Sequence, residues 1–374
     1  MAVTYAYKPR ATHVNTLPPL HHLAPAQFDH PAVLKKLVTA HRRLAEFKGA
    51  AAAMPNQNIL INTLALQEAK DSSAIENIVT THDELFREVA DQALASPAAK
   101  EVARYGRALR VGFDAVRQTG LLTGNQIIDI QAQIEQNRAG YRKVPGTVLR
   151  NGAGEVIYTP PSPERLPGLM GDLERFINDE ALFDADPLVK MALIHHQFES
   201  IHPFYDGNGR TGRIINVLYL VKEGLLDIPV LYLSRAIVRS KADYYRLLQS
   251  VREQNNWQEW VLYLLDVVEQ TALEGSDTLR AIKALLLDTK HRIRAAYPRF
   301  YSQDLINNLF SHPYTKIEFI QHDLGVSRLT ATRYLDLLVE GGFLHKRKVG
   351  RSNDYINAPL FRILTGEAPP TAET

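Results

Sequence analysis

One run of the chain, His202-Pro203-Phe204-Tyr205-Asp206-Gly207-Asn208-Gly209-Arg210-Thr211-Gly212-Arg213, gathers a base, a hard carboxylate, a glycine-rich turn and two cations. Chemistry of that kind suits a nucleotide. Gly207 and Gly209 flank Asn208, so the backbone can curl without a Cβ penalty and aim successive N–H groups into one concavity, which fits an anion. The apolar stretch Ile214, Ile215, Val217, Leu218, Leu220 and Val221 reads as a buried helix, whose first N–H groups add to the same cradle. Asp206 is an oxygen ligand suited to Mg²⁺ shared with phosphate oxygens. Arg210 and Arg213 fall on neighbouring positions of that helix and would form a two-pronged clamp on further phosphates. Pro203 biases His202 out of helical geometry and ends the preceding helix, leaving the imidazole at a loop mouth to accept a proton from a hydroxyl.

The elements that position this run divide the chain into three parts: residues 1–117, 118–275 and 276–374. In the first, spacings such as Leu34, Leu37, Leu44 and Ile59, Leu64, Leu66 read as helices. The second is a helical core interrupted between Arg142 and Pro161. There Thr147–Arg150, the turn Asn151-Gly152-Ala153-Gly154 and Glu155–Tyr158 read as a small β-hairpin. The third opens on a helix over Thr278–Ala296. Ile317–Leu324, Gly325-Val326-Ser327 and Arg328–Glu340 then read as helix, turn, helix, with Ser327 as the cap and Arg328, Thr330 and Arg333 on the second helix. Gly341-Gly342 breaks the chain before a basic hairpin, Phe343-Leu344-His345-Lys346-Arg347-Lys348-Val349-Gly350-Arg351, that would form a wing. The fold expected is mainly α, with a hairpin beside a helical core and a C-terminal winged helix-turn-helix.

The catalytic run resembles the Fic family signature, His-x-Phe-x-Asp-Gly-Asn-Gly-Arg-x-x-Arg, and departs from it at no fixed position. The resemblance implies a protein adenylyltransferase, which uses ATP and Mg²⁺ to move AMP onto a Ser, Thr or Tyr hydroxyl of a target protein or of itself and releases pyrophosphate. It implies His202 as the general base and Asp206 as the Mg²⁺ ligand. Gly207, Asn208 and Gly209 become the phosphate cradle, and Arg210, Thr211, Gly212 and Arg213 the rest of the nucleotide site. The kinase-like toxin branch carries Lys at the position of Gly209, so Gly209 argues for AMP transfer. Ser72-Ser73-Ala74-Ile75-Glu76-Asn77 is similar to the family's inhibitory pattern, Ser/Thr-x-x-x-Glu-Gly/Asn, N-terminal to the core as in class II. It implies that Glu76 pairs with Arg213 and keeps ATP misaligned, with Ser72 and Asn77 as parts of that segment. The hairpin resembles the Fic flap, implying target binding along Val156, Ile157, Tyr158 and Thr159. Tyr244 and Tyr245 resemble the pair many Fic proteins place beside the nucleotide. The whole layout is similar to Fic proteins of the SoFic type.

Composition fits a cytoplasmic enzyme. The chain has 374 residues, no cysteine and a formal charge of +2, so disulfides and thiolate metal sites are excluded and charge alone selects no partner. Met1–Leu23 has no basic-then-apolar run, so no signal peptide is expected, and no stretch reads as a membrane span. His195, His196 and His202 lack an acidic residue to complete a transition-metal set. Two other readings stay in view: Glu76 positioning water to remove AMP from a modified target, and a winged-helix DNA-binding regulator whose core senses nucleotide. Asp336, Glu340 and Asp354 dilute the basic face, so DNA is the less favoured partner. A homodimer stays open.

Overall fold

The computed structural model describes residues 17–90, 96–349 and 352–368. Met1–Thr16 and the wing residues Gly350 and Arg351 lie outside the described residues. The N-terminal part is built from α1 (Pro31–Ala52), α2 (Gln57–Ile75), α3 (His82–Ala90) and α4 (Pro97–Thr119). Each start follows local chemistry. Asn56 accepts from the Asn58 N–H at the head of α2, and Ser96 accepts from Ala99 ahead of α4, which carries Pro97 in its first turn.

The central part comprises α5 (Gly124–Glu135), the strands β1 (Leu149–Arg150) and β2 (Val156–Tyr158), α6 (Leu166–Asn178), α7 (Pro187–Ile201), α8 (Asn208–Lys222), α9 (Ser234–Arg239) and α10 (Lys241–Gln254). β1 and β2 pair antiparallel, Leu149 opposite Tyr158 and Arg150 opposite Val156, with an irregularity between the two β1 residues. The strands are shorter than their alternation suggests because Asn151 folds the turn on itself. Its Oδ1 accepts from the N–H groups of Ala153 and Glu155.

The helix expected over Thr278–Ala296 is the second half of α11 (Trp257–Ala296), which runs unbroken for 40 residues. Gly275 looks like a break in the sequence, but the fold uses it for packing: a Cβ there would sit 2.6 Å from the Phe47 ring of α1. After α11 come α12 (Gln303–Ser311), β3 (Tyr314–Thr315), α13 (Ile317–Leu324), α14 (Arg328–Glu340), β4 (His345–Val349), β5 (Ser352–Ile356) and α15 (Ala358–Thr365). The sheet order is β3-β5-β4, all antiparallel neighbours. Ser327 caps α14 by accepting from Thr330 N–H, so helix, turn, helix and hairpin follow in the order expected of a winged helix.

This C-terminal module does not stand apart. α12 and α15 pack on α2, and β3 packs on α3. One apolar core runs from Leu20 to Leu364, centred on α7 and α8, whose inward residues are wholly buried. None of the described helices is long and apolar enough to cross a membrane.

Candidate active site

The site forms where α7 stops and α8 starts. Pro203 cannot continue α7, and His202 takes the left-handed conformation at φ 48° while its N–H still closes the helix on Phe198 O at 2.9 Å. The loop that follows is fastened on three sides. Arg142 donates from Nε to His202 O and from its backbone N–H to Pro203 O, both at 2.9 Å, and from Nη2 to Pro161 O. The Tyr205 hydroxyl accepts from the N–H groups of Lys143 and Val144. The Asn208 amide both donates to Phe204 O and accepts from Phe204 N–H, at 2.9 Å each. Asn208, expected in the phosphate cradle, uses both polar ends of its side chain to clasp the loop that carries it.

Gly207 caps α8 at φ 77°, a conformation that costs a side-chain-bearing residue energy. The first bond into the helix is Thr211 N–H to Gly207 O, which leaves the N–H groups of Asn208, Gly209 and Arg210 without helical acceptors, the ordinary state of a helix start and one that favours an anion. Beside this turn the Asp206 carboxylate is 79% exposed. Its Oδ1 accepts from Gly207 N–H at 2.7 Å. A single open carboxylate next to a phosphate cradle is what Mg²⁺ uses, since it keeps waters and takes one or two carboxylates plus phosphate oxygens. The donor set therefore fits that ion.

The two arginines of the run do not form a joint clamp here. Arg213, 1% exposed, donates from Nε to Ser72 Oγ at 2.7 Å, and from Nη2 to Ser72 O at 2.9 Å and Glu76 Oε1 at 2.8 Å. Arg210, 3% exposed, donates to Glu101 of α4 at 2.7 Å and to Glu135 of α5 at 2.8 Å. Each guanidinium has been matched by a carboxylate from another helix, because a buried cation without a partner is costly. Glu76 closes α2 at its C-terminal end and lies directly over Gly209, where a Cβ would collide with its Oε1. Burial works against the Glu76 charge, but Arg213 and then Arg210 hold its carboxyl below the usual range. Asn77 follows at φ 64°, and its Oδ1 accepts from Lys241 Nζ.

Burial, then the positive charges of Arg252 and Arg142, push His202 down to about 4, so the imidazole is neutral across physiological pH. His195 and His196 point elsewhere: Nε2 of His195 meets the Tyr244 hydroxyl at 2.9 Å, and Nε2 of His196 meets Leu248 O. Tyr244 is thus packed into the aromatic core against Trp260, whereas Tyr245 stays 42% exposed. Of the flap residues, Val156 and Thr159 are exposed and Ile157 and Tyr158 half-buried. Tyr158 donates its hydroxyl to Ser200 O, which sets β2 beside the end of α7.

Five residues around the site escaped the sequence reading: Glu101, Glu135, Arg142, Glu199 and Arg252. Glu199 is buried one turn before His202, which pushes its carboxyl up to about 7. Its place on α7 one turn from the base was the only signal available for any of them.

Three family models match in chain order: Fic/DOC family N-terminal over residues 34–114, Fic/DOC family over 121–220, and the C-terminal domain of SoFic-like protein adenylyltransferase over 285–360. The chain belongs to the Fic family. Protein adenylyltransferase fic-1 of Caenorhabditis elegans is 35% identical over 91 residues, 24% of this chain and 17% of that protein. A probable protein adenylyltransferase of Aquifex aeolicus is 40% identical over 90 residues, 24% of this chain and 26% of that one. The chain thus matches only a small part of these relatives' length. A Fic family protein from Desulfovibrio desulfuricans G20 shares the fold with a TM-score of 0.54 at 20% identity, over 87% of this chain and 96% of that one. Fic-1 of C. elegans, residues 134–508, shares it with a TM-score of 0.52 at 22% identity, over 66% and 72%.

Proposed function

We propose that this Fic chain transfers AMP from ATP to a protein hydroxyl and that Glu76 holds it inactive. The observation that carries the reading is the pairing of Glu76 with Arg213 directly above the turn that would cradle the phosphates. The neutral His202 takes the proton of the attacking Ser, Thr or Tyr hydroxyl. The freed oxygen bonds to the α-phosphorus, the bond from that phosphorus to the bridging oxygen of the β-phosphate breaks, and pyrophosphate leaves with the electron pair. The N–H groups at the head of α8 hold phosphate oxygens in place. Mg²⁺ held by Asp206 would neutralise phosphate charge.

While Glu76 occupies Arg213, that guanidinium is unavailable to the outer phosphates, and the α-phosphate lacks the anchor that would align it. Arg210 is paired with Glu101 and Glu135 of α4 and α5, outside the inhibitory segment, so its pairing is separate from that restraint. The division into an inhibitory N-terminal region, a catalytic core and a C-terminal module follows residues 1–117, 118–275 and 276–374 in this reading, with cytoplasmic ATP as the donor. DNA is the less favoured partner in this reading, for Arg347 of the hairpin is buried against Asp83 and Asp354.

Incubation with ATP labelled at the α- or the γ-phosphate tests the reaction. Label should enter protein from the α position only, and His202→Ala should lower the rate about 10²- to 10⁴-fold. Incorporation from the γ position, or an unimpaired His202→Ala protein, contradicts it.

A further inference from the structure

A hairpin as short as β1–β2 does not hold its shape alone, so something in the core must seat the flap. That support comes from α10. Gln249 donates from Nε2 to Ile157 O at 3.0 Å. One turn on, the Arg252 guanidinium lies 4.0 Å from the centre of the Tyr158 ring, a stacked cation–π contact that a planar guanidinium makes well. The edge of the same group reaches α7: Nε donates to Ser200 Oγ at 3.1 Å and Nη2 to Glu199 O at 3.3 Å. Helix ends leave such carbonyls without partners. Tyr158 closes the triangle by donating to Ser200 O at 2.9 Å. Flap, α10 and the last turn of α7 therefore meet at one side chain, and His202 follows that turn directly.

We propose that Arg252 is a positioning residue with two tasks: it seats the flap strand through the Tyr158 ring, and it fixes the end of α7 that presents His202. The proposal rests on the transfer reaction above. A third effect follows from its charge. The groups facing His202 are Arg252 from α10, Arg142 from the segment after α5, Glu76 from the end of α2, and the Glu199 backbone on α7. Burial first, and then the two arginines, disfavour a proton on the imidazole, while Glu76 and the Glu199 backbone oppose them. The Arg252 charge thus adds to burial in disfavouring a proton on His202.

The test compares Arg252→Lys, Arg252→Met and Tyr158→Leu with the unaltered chain. Amide exchange at Ile157 and Tyr158 should quicken about 10-fold in all three, the size expected from losing a ring contact and its hydrogen bonds. The His202 titration is read by NMR and assigned by its absence in His202→Ala. Its midpoint should rise by about one pH unit in Arg252→Met and stay in place in Arg252→Lys and Tyr158→Leu, where the charge remains. Neither readout needs transfer activity, so both decide the matter even if the transfer reading fails. Self-modification at saturating ATP, in a Glu76→Gly background, should fall about 10-fold in Arg252→Met. Unchanged flap exchange in Arg252→Met and Tyr158→Leu, or a His202 midpoint that does not move in Arg252→Met, overturns the proposal.

Discussion

Arg213 and Arg347 are both nearly sealed guanidiniums, and both meet a carboxylate from the short stretch around the end of α2 and the start of α3. Arg213 bonds Glu76 at 2.8 Å. Arg347, on β4 of the wing, bonds Asp83 at 2.9 Å and Asp354 at 3.4 Å. The pairs differ in what else holds the carboxylate and in what lies beyond it. Glu76 sits at a helix end with its side chain 35% exposed and no second cation bonded to it among the described residues, above a turn suited to phosphate. Asp83 is braced by the Tyr314 hydroxyl at 2.6 Å, in an aromatic cluster of Phe86, Tyr314 and Phe361 that joins α3 to the C-terminal module. In the proposed reading, similar ion pairs serve as a removable stop at one place and as an anchor at the other. The wing also pairs Lys346 with Asp336 and the adjoining helix pairs Arg328 with Glu318, while Lys348 and Arg333 are exposed cations among the described residues.

If that contrast holds, the largest losses of transfer come from the site and not from the anchor. Asp206→Ala, or chelation of Mg²⁺ by excess EDTA, should lower transfer at least about 100-fold with the unfolding midpoint unchanged, because the exposed carboxylate carries no fold. Activity that persists in EDTA would remove Asp206 from the site.

Arg347→Ala should act in the opposite way. Stripping one partner from a buried pair leaves Asp354 and Asp83 without their nearest cation, at a cost of about 3 kcal/mol. Lys316, 3.9 Å from Asp354, offsets part of it. Urea melts of the full chain would read this, and an unchanged midpoint would mean that the wing is not an anchor.

The smallest effect is expected from the outward cations. Lys348→Ala and Arg333→Ala should leave stability within about 0.5 kcal/mol of the unaltered chain. In gel shifts across a salt series the protein should show only weak binding to duplex DNA, without sequence preference. Tight selective binding with a steep salt slope would restore the DNA-binding reading.

Legibility in the sequence followed distance along the chain. His202, Asp206, Gly207, Gly209, Arg210 and Arg213 were readable because one turn and one helix carry them, so spacing fixes their relative places. The end of α7 at His202 and the start of α8 beyond Gly207 were equally local. What Arg210 would face was not, since Glu101 and Glu135 come from remote helices and a list of side-chain types does not say which carboxylate the fold sets opposite a cation; the Glu76 partner of Arg213 came from the family resemblance and not from spacing. The same limit hid Arg142 and Arg252 and made the wing look basic when Arg347 is buried. Gly275 shows a related limit: glycine marks both breaks and close packing, and only the Phe47 ring of α1 distinguishes them.

The central claim is that one carboxylate restrains the site through one arginine. Its most direct measurement is AMP incorporation from α-labelled ATP by the Glu76→Gly chain, alone and combined with Arg213→Ala. Removal of Glu76 should raise self-modification about 10-fold or more, in the range of typical coupling between sites. Adding Arg213→Ala should return it to or below the starting rate, because the freed partner is then missing. A Glu76→Gly protein that transfers no more AMP than the unaltered chain, or a double variant as active as Glu76→Gly alone, would contradict the account.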